Sequence, residues 1–352
     1  MCGALCNYLY VSVIKNKGNP LCSWWLVFRK KKGAGMRRIL VTGAVGQIGS
    51  ELATFLRGKY GADNVVAAGH RTKPSEKLKN SGPFEFINVS IMEDVEAIVK
   101  KYDIGTIHHL AAVLSAVGES KPQICWDVNM NGLYNVLEVA REHKCAVFVP
   151  SSIAAFGPDT PIDNTPQDTI QRPTSMYGVT KVAGELLADY YFKRFGVDTR
   201  GVRYPGIISY ETLPGGGTTD YAVEIFYEAI KNRKYTCFLK EDTMLDMMYM
   251  ADALKAAYDL MEADVSKLKH RNAFNLTAFN FTPKEIAEKI KKHIPEFEMS
   301  YEVDAVRQAI ADSWPNHMDD TAAREEWGWT PEYDLDAMVK DMLEKLKVKL
   351  GA

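Results

Sequence analysis

Apolar residues along this chain follow two alternating periods. Residues 175–195 place Val179, Val182, Ala183, Leu186, Leu187 and Tyr190 at helical spacing, which predicts a helix. Similar patterns cover 48–56, 95–102 and 126–141. Between them stand short apolar runs at 38–42, 64–68, 84–89, 106–112, 146–149 and 199–204, which read as buried strands. Repeated strand–helix alternation predicts an α/β fold on a parallel, doubly wound sheet, with ligand at the C-terminal strand ends. Beyond 205 the pattern is mixed, with helical stretches at 223–230, 322–327 and 335–346 and strand-like ones at 244–249, 273–276 and 299–303. Thr282-Pro283-Lys284-Glu285 reads as an N-cap, a proline at the first helical position and a capping-box acid, opening a helix to 294.

The first strand runs straight into Gly43-Ala44-Val45-Gly46-Gln47-Ile48-Gly49, and a helical pattern follows. Strand, glycine turn and helix in that order predict a dinucleotide site. One glycine permits the tight turn, one lets the backbone approach a pyrophosphate, and one allows close helix–strand packing. The phosphates would meet free N–H groups at the positive end of the helix. The expected architecture is a Rossmann-type domain over 36–205 followed by a smaller C-terminal α/β lobe over 206–352. The lobe is expected to be mainly substrate-binding, with some segments returning to the Rossmann sheet.

The second strand ends in Ala68-Gly69-His70-Arg71, where an acidic residue for the ribose hydroxyls is expected. An arginine there suits adenine stacking or a 2′-phosphate, which leaves NAD and NADP both open, or it is a solvated charge. Asn88 and Val89 end the third strand near the expected adenine edge. His108 and His109 end the fourth; one belongs in the core and one near the cofactor's phosphates. Leu110, Ala111 and Ala112 follow, and the small alanines suit close passage along a cofactor. Ser115 lies just beyond. Ser151 and Ser152 end the fifth strand. In the 175–195 helix, Tyr177 and Lys181 stand four apart and share a face. A nearby cation favours the ionised phenol, so this pair suits a base acting near neutral pH. By itself the spacing is equally that of a packed tyrosine and a solvated lysine.

Composition narrows the function classes. Apolar residues make up 46% and charged residues 25% of 352, ordinary for a globular chain. A net charge of −2 gives no reason to expect nucleic acid or an anionic membrane as partner. The six cysteines form no C-x-x-C pair and read as thiols in a reducing compartment. No apolar run of about 18 residues is present. Residues 1–35 differ from the rest: basic and acid-free, with Lys15, Lys17, Arg29, Lys30, Lys31 and Lys32. That composition fits a mitochondrial targeting segment, against an extension with no role and a cytoplasmic protein. His317 and Asp319 invite a metal reading, but a turn bridging back to the main sheet suits them better, and no metal is expected.

Taken together, these motifs resemble the extended short-chain dehydrogenase/reductase family from about Arg37 to the C-terminus. The resemblance rests on the T-G-x-x-G-x-x-G turn of Thr42 to Gly49, Asn129 in N-x-x-G, Ser151-Ser152 followed by Phe156-Gly157, and Tyr177-x-x-x-Lys181. Within it, Pro214-Gly215-Gly216-Gly217-Thr218-Thr219-Asp220-Tyr221-Ala222, the 112–119 stretch and the 313–320 segment are similar to the short-chain type of L-threonine 3-dehydrogenase. The loop is also a capped helix start, with Thr219 or Asp220 as N-cap.

The resemblance implies NAD as cofactor and L-threonine, oxidised at its 3-hydroxyl, as substrate. It makes Tyr177 the base and Lys181 the residue that lowers the phenol's pKa and binds the nicotinamide ribose. Ser152 orients the substrate oxygen, and Asn129 supports its helix and a relay water. Ser115, Thr218 and Thr219 are expected on the substrate's ammonium and carboxylate. Pro205 and Ile207 join the cofactor site. A homodimer is implied through the 126–141 and 177–195 helices. Two alternatives remain: a nucleotide-sugar epimerase or dehydratase of the same fold, and a non-catalytic NAD(P)-sensing scaffold.

Overall fold

A computed structural model describes residues 37–351 apart from 213, 214 and 216. The 1–35 segment, with its targeting reading, and part of the glycine loop lie outside the described residues.

The alternation seen in the sequence folds into six parallel strands. They are β1 (Arg38–Thr42), β2 (Val65–Gly69), β3 (Phe84–Phe86), β4 (Ile104–His109), β5 (Ala146–Phe148) and, after the short β6 (Ser151–Ser152), β7 (Thr199–Arg200). Their order is β3-β2-β1-β4-β5-β7. The order reverses between β2 and β4 around β1, which opens a crevice at the C-terminal strand ends where a dinucleotide fits. Past breaks at Val149-Pro150 and Gly201 the same chain runs continue, because β6 pairs with β8 (Val202–Tyr204) in register Ser151↔Arg203. Gly201 lets the strands approach here: a Cβ on it would stand 2.5 Å from the Val149 carbonyl oxygen.

Both sheet faces are covered, which explains the unbroken apolar strands. On one face Leu52, Leu56, Ala257 and Trp329 pack against Val41 and Ala67; on the other Val95, Leu137 and Tyr191 pack against Leu40 and Val147. Among the described residues five short strands follow β9 (Gly206–Ile208): β10 (Lys234–Cys237), β11 (Leu245–Tyr249), β12 (Phe274–Asn275), β13 (Phe279–Phe281) and β14 (Glu298–Tyr301). β12 pairs with β8, β11 lies between β9 and β13, and β10 pairs with β14. A second core of Tyr221, Phe226, Phe281, Phe297 and Leu346 surrounds the last two groups. The capping box opens the Pro283–Lys291 helix as expected: Glu285 N donates to Thr282 Oγ1 at 3.2 Å, and Thr282 N to Glu285 Oε2 at 2.8 Å.

Three boundaries differ from expectation. The third strand stops at Phe86, because Asn88 N turns aside to donate to Asp94 Oδ2 at 2.9 Å. The 126–141 helix is preceded by a helical turn opening at Pro122 and by a π-helical turn, Asp127–Asn131, before Gly132–His143 resumes α geometry. At the third, Asp220 holds the N-cap position expected for the Tyr221–Lys231 helix but makes no side-chain cap bond to it; its carboxylate accepts from Gly217 N at 2.6 Å.

Candidate active site

The glycine turn is as tight as the sequence requires. Gly43 has φ +67°, and a Cβ there would stand 2.6 Å from Ala111 N. A Cβ on Gly49 would lie 2.2 Å from the Gly43 carbonyl oxygen. The Gln47–Tyr60 helix begins at Gly46 with no side-chain cap, so its first N–H groups face the crevice. Gln47 Nε2 is buried without a partner beside them. A cradle that admits no Cβ, free N–H donors and an orphaned amide together fit a diphosphate. These residues, with Val45 and Ile48, are the ones that would hold the dinucleotide.

Gly69 is packed in a way that explains the missing acid. A Cβ there would stand 3.0 Å from Val45 Cγ1 and 3.2 Å from Phe84 Cζ. His70 and Arg71 are exposed just past the strand end. Asn88 turns its Oδ1 back to Ser90 N at 3.2 Å. Val89 is buried, and a Cβ on Gly132 would lie 2.8 Å from its Cγ2, which is why the N-x-x-G motif ends in glycine.

Both histidines of β4 are buried. Burial holds each imidazole far down, at about 3, and for His109 the Lys181 charge adds to it. His108 lies against the Phe148 ring at 5.3 Å. His109 Nδ1 pairs with Thr42 Oγ1 at 3.0 Å, tying β1 to β4. With Leu110, Ala111, Ala112, Asn129 and Lys181, His109 lines a cavity of about 40 Å3.

Tyr177 opens the Met176–Phe195 helix, capped by Ser175 Oγ, which accepts from Gly178 N at 3.1 Å. Gly178 is required because a Cβ would meet the Ala154 carbonyl oxygen at 2.3 Å. Lys181 Nζ stands 5.3 Å from the Tyr177 ring centroid and donates to the Pro150 carbonyl at 2.7 Å. Two ammonium protons therefore remain for other partners. Ser152 Oγ accepts from Ala154 N at 3.2 Å, which leaves its O–H free to donate.

Asn129 sits in the π-helical turn. Its Oδ1 accepts from Val113 N at 2.7 Å, and its Nδ2 donates to Val113 O at 3.1 Å and Thr180 Oγ1 at 3.0 Å. The side chain thus fastens the 113 segment to the Tyr177 helix, and π geometry at functional positions is a recurring device.

Ser115 is buried at the start of the Ser115–Ser120 helix. That helix is fixed to the Tyr177 helix, since Met176 N donates to Glu119 Oε1 at 2.6 Å and a Cβ on Gly118 would stand 3.8 Å from Tyr177 Cβ. Thr218 is buried and Thr219 half-buried. Thr219 rests on Gly206, where a Cβ would meet its Cγ2 at 2.8 Å. A Cβ on Gly215 would reach Leu114 Cδ1 at 3.8 Å, so the loop meets the turn that carries Ser115. Pro205 is buried and Ile207 half-buried beside them. Among the described residues, no hydrogen bond joins Ser115, Thr218 or Thr219 to Tyr177 or Ser152. At 317–319 the chain does not return to the six-stranded sheet: Met318 forms an isolated bridge with Thr165 and donates its N–H to Asp246 of β11 at 2.8 Å, and Asp319 Oδ1 accepts from Thr321 N at 2.9 Å.

Sequence reasoning missed Glu185 and Arg203, whose buried ion pair lies directly behind Ser151. The available signal was an acid on the inward face of one element and a base inside an apolar strand.

The NAD-dependent epimerase/dehydratase family model matches residues 39–276. An uncharacterised epimerase/dehydratase of Staphylococcus saprophyticus is 53% identical over 89% of this chain and 98% of its own. Among solved structures, L-threonine dehydrogenase from Clostridium difficile is 59% identical, covering 90% of this chain and 99% of that one, with TM-score 0.88. A GalE-like L-threonine dehydrogenase from Cupriavidus necator, in its holo form, is 48% identical over 88% and 100%, with TM-score 0.85.

Proposed function

Because this chain belongs to the NAD-dependent epimerase/dehydratase family and is an NAD-dependent oxidoreductase acting on a small molecule, we propose that it is an L-threonine 3-dehydrogenase, oxidising L-threonine to 2-amino-3-oxobutanoate. The observation that carries this reading is the near full-length similarity to L-threonine dehydrogenases at 48 and 59% identity. The juxtaposition of Tyr177 and Lys181 and the unclaimed O–H of Ser152 support it.

A bound NAD would supply the hydride acceptor for the carbinol carbon. The residues of the chain manage the proton and the geometry. Tyr177, with the Lys181 ammonium 5.3 Å from its ring centroid, takes the hydroxyl proton. Ser152 donates to the substrate oxygen and orients it. Lys181 has protons left for the nicotinamide ribose once Pro150 is satisfied. Asn129 sets the spacing of these elements. Ser115, Thr218 and Thr219 hold the ammonium and carboxylate, so that the 206–352 lobe supplies most of the substrate side. A zwitterion needs paired donors and acceptors, and closing the glycine loop over it excludes water from hydride transfer.

The chain acts as a homodimer in this reading. Leu186 and Tyr190 are 65% and 52% exposed on the Tyr177 helix, and Tyr134 is 46% exposed on Gly132–His143. Apolar side chains of that size on neighbouring helices suit burial against a second copy.

The test crosses L-threonine, L-serine, 3-hydroxybutyrate and UDP-glucose with NAD and NADP and reads reduced cofactor. Fastest reduction of NAD by L-threonine supports the proposal. Isomerisation of the nucleotide-sugar without net reduction, by protein purified with cofactor already bound, supports the epimerase reading that the Staphylococcus relative's name suggests.

A further inference from the structure

Lys181 and Glu185 line the same cavity and stand one helical turn apart. At that spacing a lysine and a glutamate ordinarily reach each other. Here they do not pair. Lys181 Nζ donates to Pro150 O at 2.7 Å. Glu185 is claimed by Arg203 of β8, whose Nε lies 3.0 Å from Oε1 and Nη2 2.8 Å from Oε2. Both side chains are almost fully buried, at 6% and 5% exposure. Ser151 Oγ also donates to Glu185, and Gln171 Nε2 does so at 2.9 Å. Arg203 is fixed in turn: its Nη1 donates to Asn275 Oδ1 at 2.9 Å and Gln167 O at 2.8 Å, and its guanidinium lies 5.1 Å from the Phe156 ring centroid.

A closed ring results. It runs from Lys181 along one turn of helix to Glu185, across to Ser151, back one peptide to Pro150, and through the Pro150 carbonyl to the ammonium. Arg203 occupies both carboxylate oxygens, so that Glu185 does not turn directly to the ammonium across this ring. We propose that Arg203 is a positioning residue that keeps Glu185 from capturing Lys181, and so leaves the ammonium to Tyr177 and the cofactor. This rests on the Tyr177–Lys181 reading given above. A bidentate guanidinium suits the task, since its planar fork satisfies both carboxylate oxygens at once. Without it a buried carboxylate is left uncompensated, which is strongly unfavourable, and the cation one turn away is Lys181. Capture would withdraw the cation that stabilises the phenolate.

The titratable groups that face Lys181 are Tyr177 and Glu185 on its own helix, His109 of β4, and Cys125 of the Pro122–Trp126 helix with Glu119 beside it. His109 is held neutral down to about 3, and burial raises the Cys125 thiol, so neither changes charge near neutral pH.

The experiment follows tyrosinate ultraviolet absorbance against pH in the full chain, subtracting for each background its Tyr177→Phe counterpart. In Arg203→Met the Tyr177 midpoint rises by about one pH unit or more, a roughly tenfold loss of phenolate near neutrality. In Arg203→Met/Glu185→Gln it returns towards the wild-type value, because the neutral amide still accepts from Ser151 and no longer draws Lys181. A purely structural role would lower thermal stability and leave the midpoint in place. Arg203→Lys, which keeps a charge but not the fork, gives a smaller rise and carries the test if Arg203→Met does not fold. An unmoved midpoint in the folded single variants, or a rise that persists in the double variant, overturns the proposal. If Lys181→Met leaves the wild-type midpoint unchanged, the Tyr177–Lys181 reading fails and takes this one with it.

Discussion

Lys181 Nζ lies 2.7 Å from the carbonyl oxygen of Pro150, the residue just before the Ser151–Ser152 strand. One contact thus ties the helix that carries Tyr177 to the strand end that carries Ser152. The candidate acid–base machinery is held in register by backbone as much as by side chains.

Gly132 and Val89 make a similar tie on the cofactor side. A Cβ at 132 would stand 2.8 Å from Val89 Cγ2 inside a filled core. Gly132→Ala is expected to cost about 1–3 kcal/mol in denaturant unfolding, as overpacking does. Val89→Ala in the same chain should recover part of that loss. Full stability in Gly132→Ala alone would mean that the core yields there.

Glu51 supplies a pH dependence. Burial raises its carboxyl from 4.5 to about 7, with a hydrogen bond from Ser209 opposing the shift. The folded state therefore binds more protons than the unfolded state between those values. Stability falls as pH rises from about 4.5 through 7, then levels off. Glu51→Gln keeps the acceptor for Ser209 and removes the ionisation. Its stability relative to wild type should improve across that window, by on the order of 1–3 kcal/mol at pH 8. Thermal unfolding at pH 5 and pH 8 checks this, and an equal difference at the two values would contradict it.

Tyr221 is fully buried with its hydroxyl unpartnered. A buried hydroxyl without a partner carries a desolvation cost of about 1–3 kcal/mol. Tyr221→Phe should leave the unfolding temperature unchanged or raise it. A clear fall would show that the hydroxyl finds a partner in solution.

Gly69 bears on cofactor choice. Val45 and Phe84 crowd the position where an acid would read the ribose hydroxyls. Gly69→Asp should sharpen the preference for NAD over NADP, through repulsion of a 2′-phosphate, and more so when combined with Val45→Ala. The ratio of kcat/KM for the two cofactors measures it; an unchanged ratio in the double variant would place ribose recognition elsewhere.

The features legible in the sequence were those set by local periodicity. The strand–turn–helix at 38–60 follows from an apolar run meeting glycines whose Cβ atoms have no room. The Thr282–Glu285 cap was readable because both its hydrogen bonds close within four residues. The features that were hidden depend on distant partners. The π-helical turn at Asp127–Asn131 accompanies the grip of Asn129 on Val113, and nothing in the local pattern marks it. The Glu185–Arg203 pair joins a residue of the Met176–Phe195 helix to one of β8, 18 positions on, and no local pattern marks a contact between those two elements. Pro150 and Gly201 break two strands at one level of the sheet, which shortened elements that periodicity alone would have run on.

The most direct test of the central claim is L-threonine-dependent NADH formation by the wild type and by Tyr177→Phe, with NAD binding measured in parallel. The account predicts turnover by the wild type, a loss of about 10²-fold or more in Tyr177→Phe, and NAD affinity changed little. Near-wild-type turnover in Tyr177→Phe, or no turnover of L-threonine by a wild type that binds NAD, would contradict it.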